Sequence, residues 1–280
     1  HVAEEDLRIA LPVIARLGLP LLAHAELPER LRDPAGPPAD PRTYAVWLNS
    51  RPPASEHAAI ELLTRLAREY SARVHIVHLA SAGALPSLAG ARAAGVQVSV
   101  ETCPHYLTFA AEEIPDGATP FKCAPPIREA AHREGLWRGL VAGLIDLVAT
   151  DHSPAPPALK GVDTGDFLGA WGGIASLQLG LAAVWTGARA RGVPIERLAS
   201  WLSAAPARLA GLERVKGALA VGLDADVVIW DPDAEITVDP AALEHRHPVT
   251  PYAGMRLHGR VHTTISRGET VFDRSARSVR

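Results

Sequence analysis

The chain has 280 residues, 48% of them apolar and 21% charged, which excludes a disordered chain and leaves room for one large domain or two smaller ones. A net charge of −3, with acids interspersed among 28 basic residues, gives no electrostatic case for nucleic acid. Two cysteines, Cys103 and Cys123, make neither a disulfide framework nor a zinc-finger spacing, and no uncharged apolar run reaches ~18 residues, so the expectation is a cytoplasmic protein with no membrane span.

Apolar positions at 7, 11, 14 and 17 predict a helix over 4–17, with Pro12 marking a kink or a late start. Gly18 ends it, and 19–24 is an apolar run of strand length. Residues 25–53 read as irregular. Ser55 offers an N-cap for a helix through Tyr70, with Ile60, Leu63, Leu66 and Ala67 on one face. Strands follow at 74–78 and 96–100, separated by a helix over 83–94. A long loop over 103–126 leads to a helix near 128–142 and a fourth strand over 144–150. Helical stretches are expected at 174–191 and 195–210. Beyond 215 the pattern changes to short strands at 225–230, 235–238, 260–265 and 270–272.

Four strands alternating with helices predict βαβ units and a parallel sheet, either doubly wound or part of a (β/α)8 barrel. No glycine-rich phosphate loop follows a strand, which weakens the nucleotide-binding reading. Three strands end in a residue able to bind metal: His24, His78 and Asp151. Alternation places Leu22 with His24, Val74 and Ile76 with His78, and Leu147 with Asp151. An inner face of Leu22, Val74, Ile76, Val98, Val100 and Leu147 is therefore expected, with His75 turned away and packed against a helix.

Imidazole and carboxylate donors suit zinc and related divalent ions, and such a site acidifies bound water and polarises a carbonyl. Asp151 could move the proton from that water to a leaving nitrogen. Singly the signals are weak: a His at a strand end is more often a hydrogen-bonded core residue, and an Asp can equally be a cap.

Five runs occur in one order: LLAHAE over 21–26, VHIVH over 74–78, ETCPHYL over 101–107, KCAPPIR over 122–128 and TDHSP over 150–154. With WGGI over 171–174, they resemble the cyclic-amidase branch of the amidohydrolase superfamily, the group of dihydroorotases and hydantoinases, and most closely its allantoinases. GLDAD over 222–226 is similar to the superfamily's β-sandwich return. The alanine at position 155, where allantoinases often carry Cys, departs from the pattern.

The resemblance implies an α/β fold: the C-terminal half of a TIM (β/α)8 barrel, strands 5 to 8, over 1–214, and the C-terminal part of a small β-sandwich over 215–280. It implies His24, His78 and Asp151 as metal ligands, Asp151 also as the catalytic proton carrier, and zinc as the metal, binuclear in the complete enzyme. Main chain at Ala124 and Gly173, with Ser153 and His105, is implied to contact substrate. The implied reaction opens the ring amide of allantoin to allantoate, a step of purine catabolism, in a homo-oligomer that is a homotetramer in full-length members.

Four βα units occupy about 150 residues, so a complete barrel needs roughly 300 before any appendage. The chain opens on His1, and its one methionine is Met255. The expectation is a fragment lacking the strand-1 His-x-His pair and the strand-4 carboxylated Lys, inactive alone and poorly soluble unless two copies pair. Lys122, Lys160 and Lys216 do not fit the place of that Lys, and His245 and His247 follow a polar stretch rather than a strand. Hydantoinase, dihydropyrimidinase or dihydroorotase activity is the alternative, and a non-catalytic assembly or binding protein is an alternative of another class.

Overall fold

In a computed structural model of the chain, residues 2–32 and 40–277 are described; His1 lies outside them. Helix α1 (Glu4–Leu17) starts where Glu4, Glu5 and Asp6 complement the helix dipole, and the Asp6 carboxylate accepts from the Ala3 amide at 2.9 Å. It runs through Pro12, so that proline marks no late start, and ends on Gly18 at φ 67°, a left-handed cap suited to glycine. Strand β1 (Pro20–Ala23) follows. The stretch expected to be irregular contains α2 (Tyr44–Ser50).

Helix α3 (Pro53–Tyr70) buries Ile60, Leu63 and Leu66 against the sheet, each contributing about 1.5–3 kcal/mol by burial. Ser55 is not its N-cap; Pro52 is, and the Ser55 hydroxyl donates to the Leu27 carbonyl instead. Then come β2 (Arg73–Ile76), α4 (Leu85–Ala93), β3 (Val98–Thr102), the short α5 (Pro104–Thr108) inside the expected loop, α6 (Ala130–Val141) and β4 (Leu147–Val148). The four strands form one parallel sheet in the order β1-β2-β3-β4.

Register corrects the expected faces. Leu22 pairs with His75 and His75 with Ser99, whereas Leu21 pairs with Val74 and Val74 with Val98. In a parallel sheet paired residues share a face. Leu22, His75, Ser99 and Glu101 therefore line one face, with Leu147 opposite Glu101. Val74, Ile76, Val98 and Val100 line the other and are buried in the core shared with the helices. On the first face Leu22, at the sheet edge, is 54% exposed, whereas His75, Glu101 and Leu147 are buried. His75 is not packed against a helix: its ring bonds Ser99 Oγ at 2.7 Å and Glu101 Oε2 at 3.0 Å.

Helices α7 (Gly180–Ala190), α8 (Glu196–Ala199) and α9 (Ala205–Leu209) follow, the last two joined through a π-helical turn over Ser200–Ala204, and a one-turn helix α10 (Arg274–Arg277) ends the described residues. The expected strands at 225–230 and 235–238 are one bulged strand, β5 (Val227–Thr237), in an antiparallel sheet with β6 (Arg256–Ser266) and β7 (Glu269–Asp273). This sheet is seated on α7: Trp185 Nε1 donates to the Pro232 carbonyl at 2.8 Å, and the His258 amide donates to Thr186 Oγ1 at 2.8 Å.

Candidate active site

The C-terminal ends of the parallel strands bring His24 and His78 together. Nδ1 of His24 lies 3.0 Å from Nε2 of His78, with the rings edge to face. Their strands deliver them differently. His24 continues the parity of Leu22. His78 lies two residues past β2 and by alternation would follow Ile76 to the helix side. Its φ of 43° breaks the alternation. Asp151, three residues past β4, has φ 45°. Non-glycine residues in this region are strained and cluster at functional sites.

His24 Nε2 is 2.8 Å from Glu26 Oε2, and Arg51 bonds the same oxygen. The Glu26 side chain is 2% exposed, and its Oε1 has no partner. Burial alone would raise the Glu26 carboxyl, but His24 and Arg51 outweigh it and hold it below the usual range. Burial and the adjacent His24 push His78 down to about 4, so its imidazole is neutral at neutral pH, the form that binds metal. Asp151 keeps an exposed edge; desolvation and then Glu101 raise its carboxyl, while His24 opposes them.

Among the described residues, no group of three His, Cys, Asp or Glu side chains is gathered tightly enough to hold an ion. Two of the three expected ligands are side by side, and Asp151 is not drawn in with them. The pair itself fits a divalent ion: two imidazole nitrogens converge, and one ring is backed by a buried carboxylate of the kind that orients metal-binding histidines.

Of the residues expected to contact substrate, Gly173 and Ser153 are neighbours: a Cβ on Gly173 would sit 2.7 Å from the Ser153 Cβ. Ala124 borders the same place, since a Cβ on Gly172 would meet its amide nitrogen at 4.0 Å. The Ser153 hydroxyl donates to the Asp151 carbonyl at 3.0 Å. His105 is 1% exposed, and neither ring nitrogen has a partner. Burial, then His78 and Lys160, drive its pKa down to about 3. The Nδ1 of His152 accepts from the amides of Ser176 and Leu177, both at 3.0 Å. Its ring meets that of His245 edge to face, which places His245 beside the site although neither of its nitrogens finds a partner. Cys103 and Cys123 are free and buried, and burial raises both thiols, so neither is poised as a nucleophile.

Sequence reasoning missed Glu26 and Arg51 as site residues. The spacing of Glu26 from His24, two residues on the same parity, was the available signal; Arg51 had none.

A family model described as the amidohydrolase family matches residues 57–271. Allantoinase of Streptomyces avermitilis is 52% identical over 268 residues, which cover 96% of this chain and 59% of that protein. Allantoinase of Arabidopsis thaliana is 47% identical, covering 94% of this chain and 54% of its own length. Among solved structures, L-hydantoinase (dihydropyrimidinase) from Arthrobacter aurescens superimposes with a TM-score of 0.87 at 29% identity, over 97% of this chain and 61% of that one. Dihydropyrimidinase from Brevibacillus agri gives a TM-score of 0.89 at 29% identity, over 97% and 60%. The chain thus spans less than two thirds of these relatives' lengths. With the family model matched across most of its length, this chain belongs to the amidohydrolase family.

Proposed function

We propose that the intact protein hydrolyses the ring amide of allantoin to allantoate, and that this chain supplies one side of the site. The observation that carries the reading is the His24–His78 pair at the open ends of parallel strands, with Asp151 at the end of a third. Identity of 41–52% to allantoinases over nearly the whole chain supports the choice of substrate. In this reading the parallel sheet is strands 5 to 8 of a (β/α)8 barrel over 1–214, and 215–280 is the C-terminal part of a β-sandwich. The chain alone would lack activity, and the intact protein would assemble as a homo-oligomer in the cytoplasm. No described helix is long and apolar enough to cross a membrane.

His24, His78 and Asp151 would hold a divalent ion, zinc being the first choice for this donor set. Such an ion polarises the ring carbonyl and acidifies the attacking water. The chain's own groups do the rest. Asp151 takes a proton from the attacking water and hands it to the departing ring nitrogen as the C–N bond breaks. Main chain at Ala124 and Gly173 holds the ring, with Ser153 beside it. His105, buried with two unpartnered nitrogens, offers the substrate a hydrogen bond.

The hydantoin ring is contained in allantoin, and the structural likeness to hydantoinases makes hydantoin the second reading. Metal analysis and hydrolysis assays of the intact protein with allantoin, hydantoin and dihydroorotate decide between them. Release of allantoate is the expected result; a metal-loaded protein inert toward allantoin would end the proposal.

A further inference from the structure

Lys160 is 2% exposed, and its ammonium meets three main-chain carbonyls: Lys122 at 2.8 Å, Gly173 at 2.6 Å and Trp171 at 3.2 Å. An ammonium has three donors, and each is matched. None of these partners is a carboxylate, and burying a cation with carbonyls alone is a costly arrangement. The carbonyls come from two segments that carry the proposed substrate contacts, Ala124 in one and Gly173 in the other.

The two segments are also joined directly, the Gly173 amide donating to the Lys122 carbonyl at 2.8 Å. Lys122 sends its own ammonium to the carbonyls of Leu168 and Ala170 and lies 4.2 Å above the Trp47 ring. Farther along the first segment, other side chains occupy the carbonyls on either side of Ala124. Trp47 Nε1 donates to Cys123 at 2.9 Å, the Tyr106 hydroxyl to Pro125 at 2.6 Å and the Tyr44 hydroxyl to Ile127 at 2.8 Å. Ala124 is thus framed by fixed neighbours, and Lys160 sets the distance between that frame and Gly173.

We propose that Lys160 is a positioning residue for substrate, clamping the main chain at 122 and at 171–173 into the one spacing that grips the ring. The proposal rests on the reading above, in which main chain near Ala124 and Gly173 contacts substrate. A group fixed this way lowers the entropy lost when the ring binds, so its removal appears in KM before kcat.

The test is Lys160→Met and Lys160→Gln in the intact protein, each assayed for metal content, KM and kcat with allantoin and hydantoin. Hydrogen–deuterium exchange over 171–174 is followed in parallel. Met removes every donor; Gln keeps two and remains the working variant should Met not fold. KM should rise by roughly tenfold to a hundredfold, with kcat within about threefold and metal content unchanged. Exchange at Gly173 should quicken, and Gln should fall between Met and the parent. A folded variant with parental KM, or one losing kcat alone, overturns the proposal, as does lowered thermal stability without a change in KM. A parent inert toward both substrates overturns the functional reading instead. Lys160 is then judged by exchange, and unchanged protection over 171–174 in the variants overturns it.

Discussion

The Nδ1 of His24 lies 3.0 Å from the Nε2 of His78, although by strand alternation the two side chains belong on opposite faces of the sheet. The left-handed backbone at His78 makes the meeting. The two ring nitrogens are within hydrogen-bond reach of each other, and a cation entering between them would find His78 already in its neutral, metal-binding form. Replacing either His with Ala in the intact protein should lower divalent-metal affinity by at least about 100-fold, beyond the usual cost of losing an outer partner. Metal content after dialysis against a chelator checks this, and undiminished retention would contradict it.

Glu26 accepts from His24 while Arg51 holds the same carboxylate oxygen. The contact leaves Nδ1 of His24 free to face His78. Glu26→Ala should weaken metal binding by about 10–100-fold, and Glu26→Gln by less, because its amide oxygen still accepts. The spectrum of the cobalt-substituted protein, titrated with metal, measures both.

Arg128 and Glu56 form a buried ion pair, 3.0 Å apart, in which Glu56 also accepts from the amides of Ala80 and Ser81. Removing one partner strands a buried charge and should cost about 3–5 kcal/mol. Urea denaturation of Arg128→Met, Glu56→Met and the double variant tests it. The double variant should be less damaged than the sum of the singles.

Gly173 has no room for a side chain: a Cβ would lie 2.2 Å from the Trp171 ring. Gly173→Ala must displace that ring or the strand-end loop carrying Ser153. We expect a loss of about tenfold or more in kcat/KM. Steady-state assays of a variant that retains its metal would show it; full activity would mean the ring yields freely.

Burial, reinforced by Lys122, lowers Lys160 from 10.5 to about 8. Below that pH both folded and unfolded chains are protonated, and the full penalty of the buried charge is present. Between about 8 and 10.5 the unfolded chain keeps a proton that the folded one has released, so this group's contribution to stability rises with pH. The denaturation midpoint of the parent, relative to Lys160→Met, should therefore climb across that window. A flat or falling difference would contradict the assignment.

Much of the architecture was legible in local patterns. The helix over 4–17 and the strand after it follow from apolar spacing and Gly18, and both are found. Residues Ile60, Leu63 and Leu66 are buried as their spacing requires. Tyr44–Ser50 escapes the pattern because seven residues, with Tyr44, Val46 and Ser50 buried, are too few for a helical period to show. Ser55 was misassigned because a cap depends on where the backbone turns, and Pro52 turns it earlier.

The sequence by itself determined the alternation of strands and helices, the order of His24, His78 and Asp151 along it, and the family to which that order belongs. These are properties of residue type and spacing, which neighbours along the chain express directly. Only the tertiary structure decided which residues share a face, how His78 reaches His24, and what the ammonium of Lys160 holds. Strand register is set by hydrogen bonds between segments some 25 to 50 residues apart, and one positive φ reverses a side chain's direction without changing the pattern around it. A buried ammonium shared by carbonyls 11, 13 and 38 residues away leaves no periodicity to read.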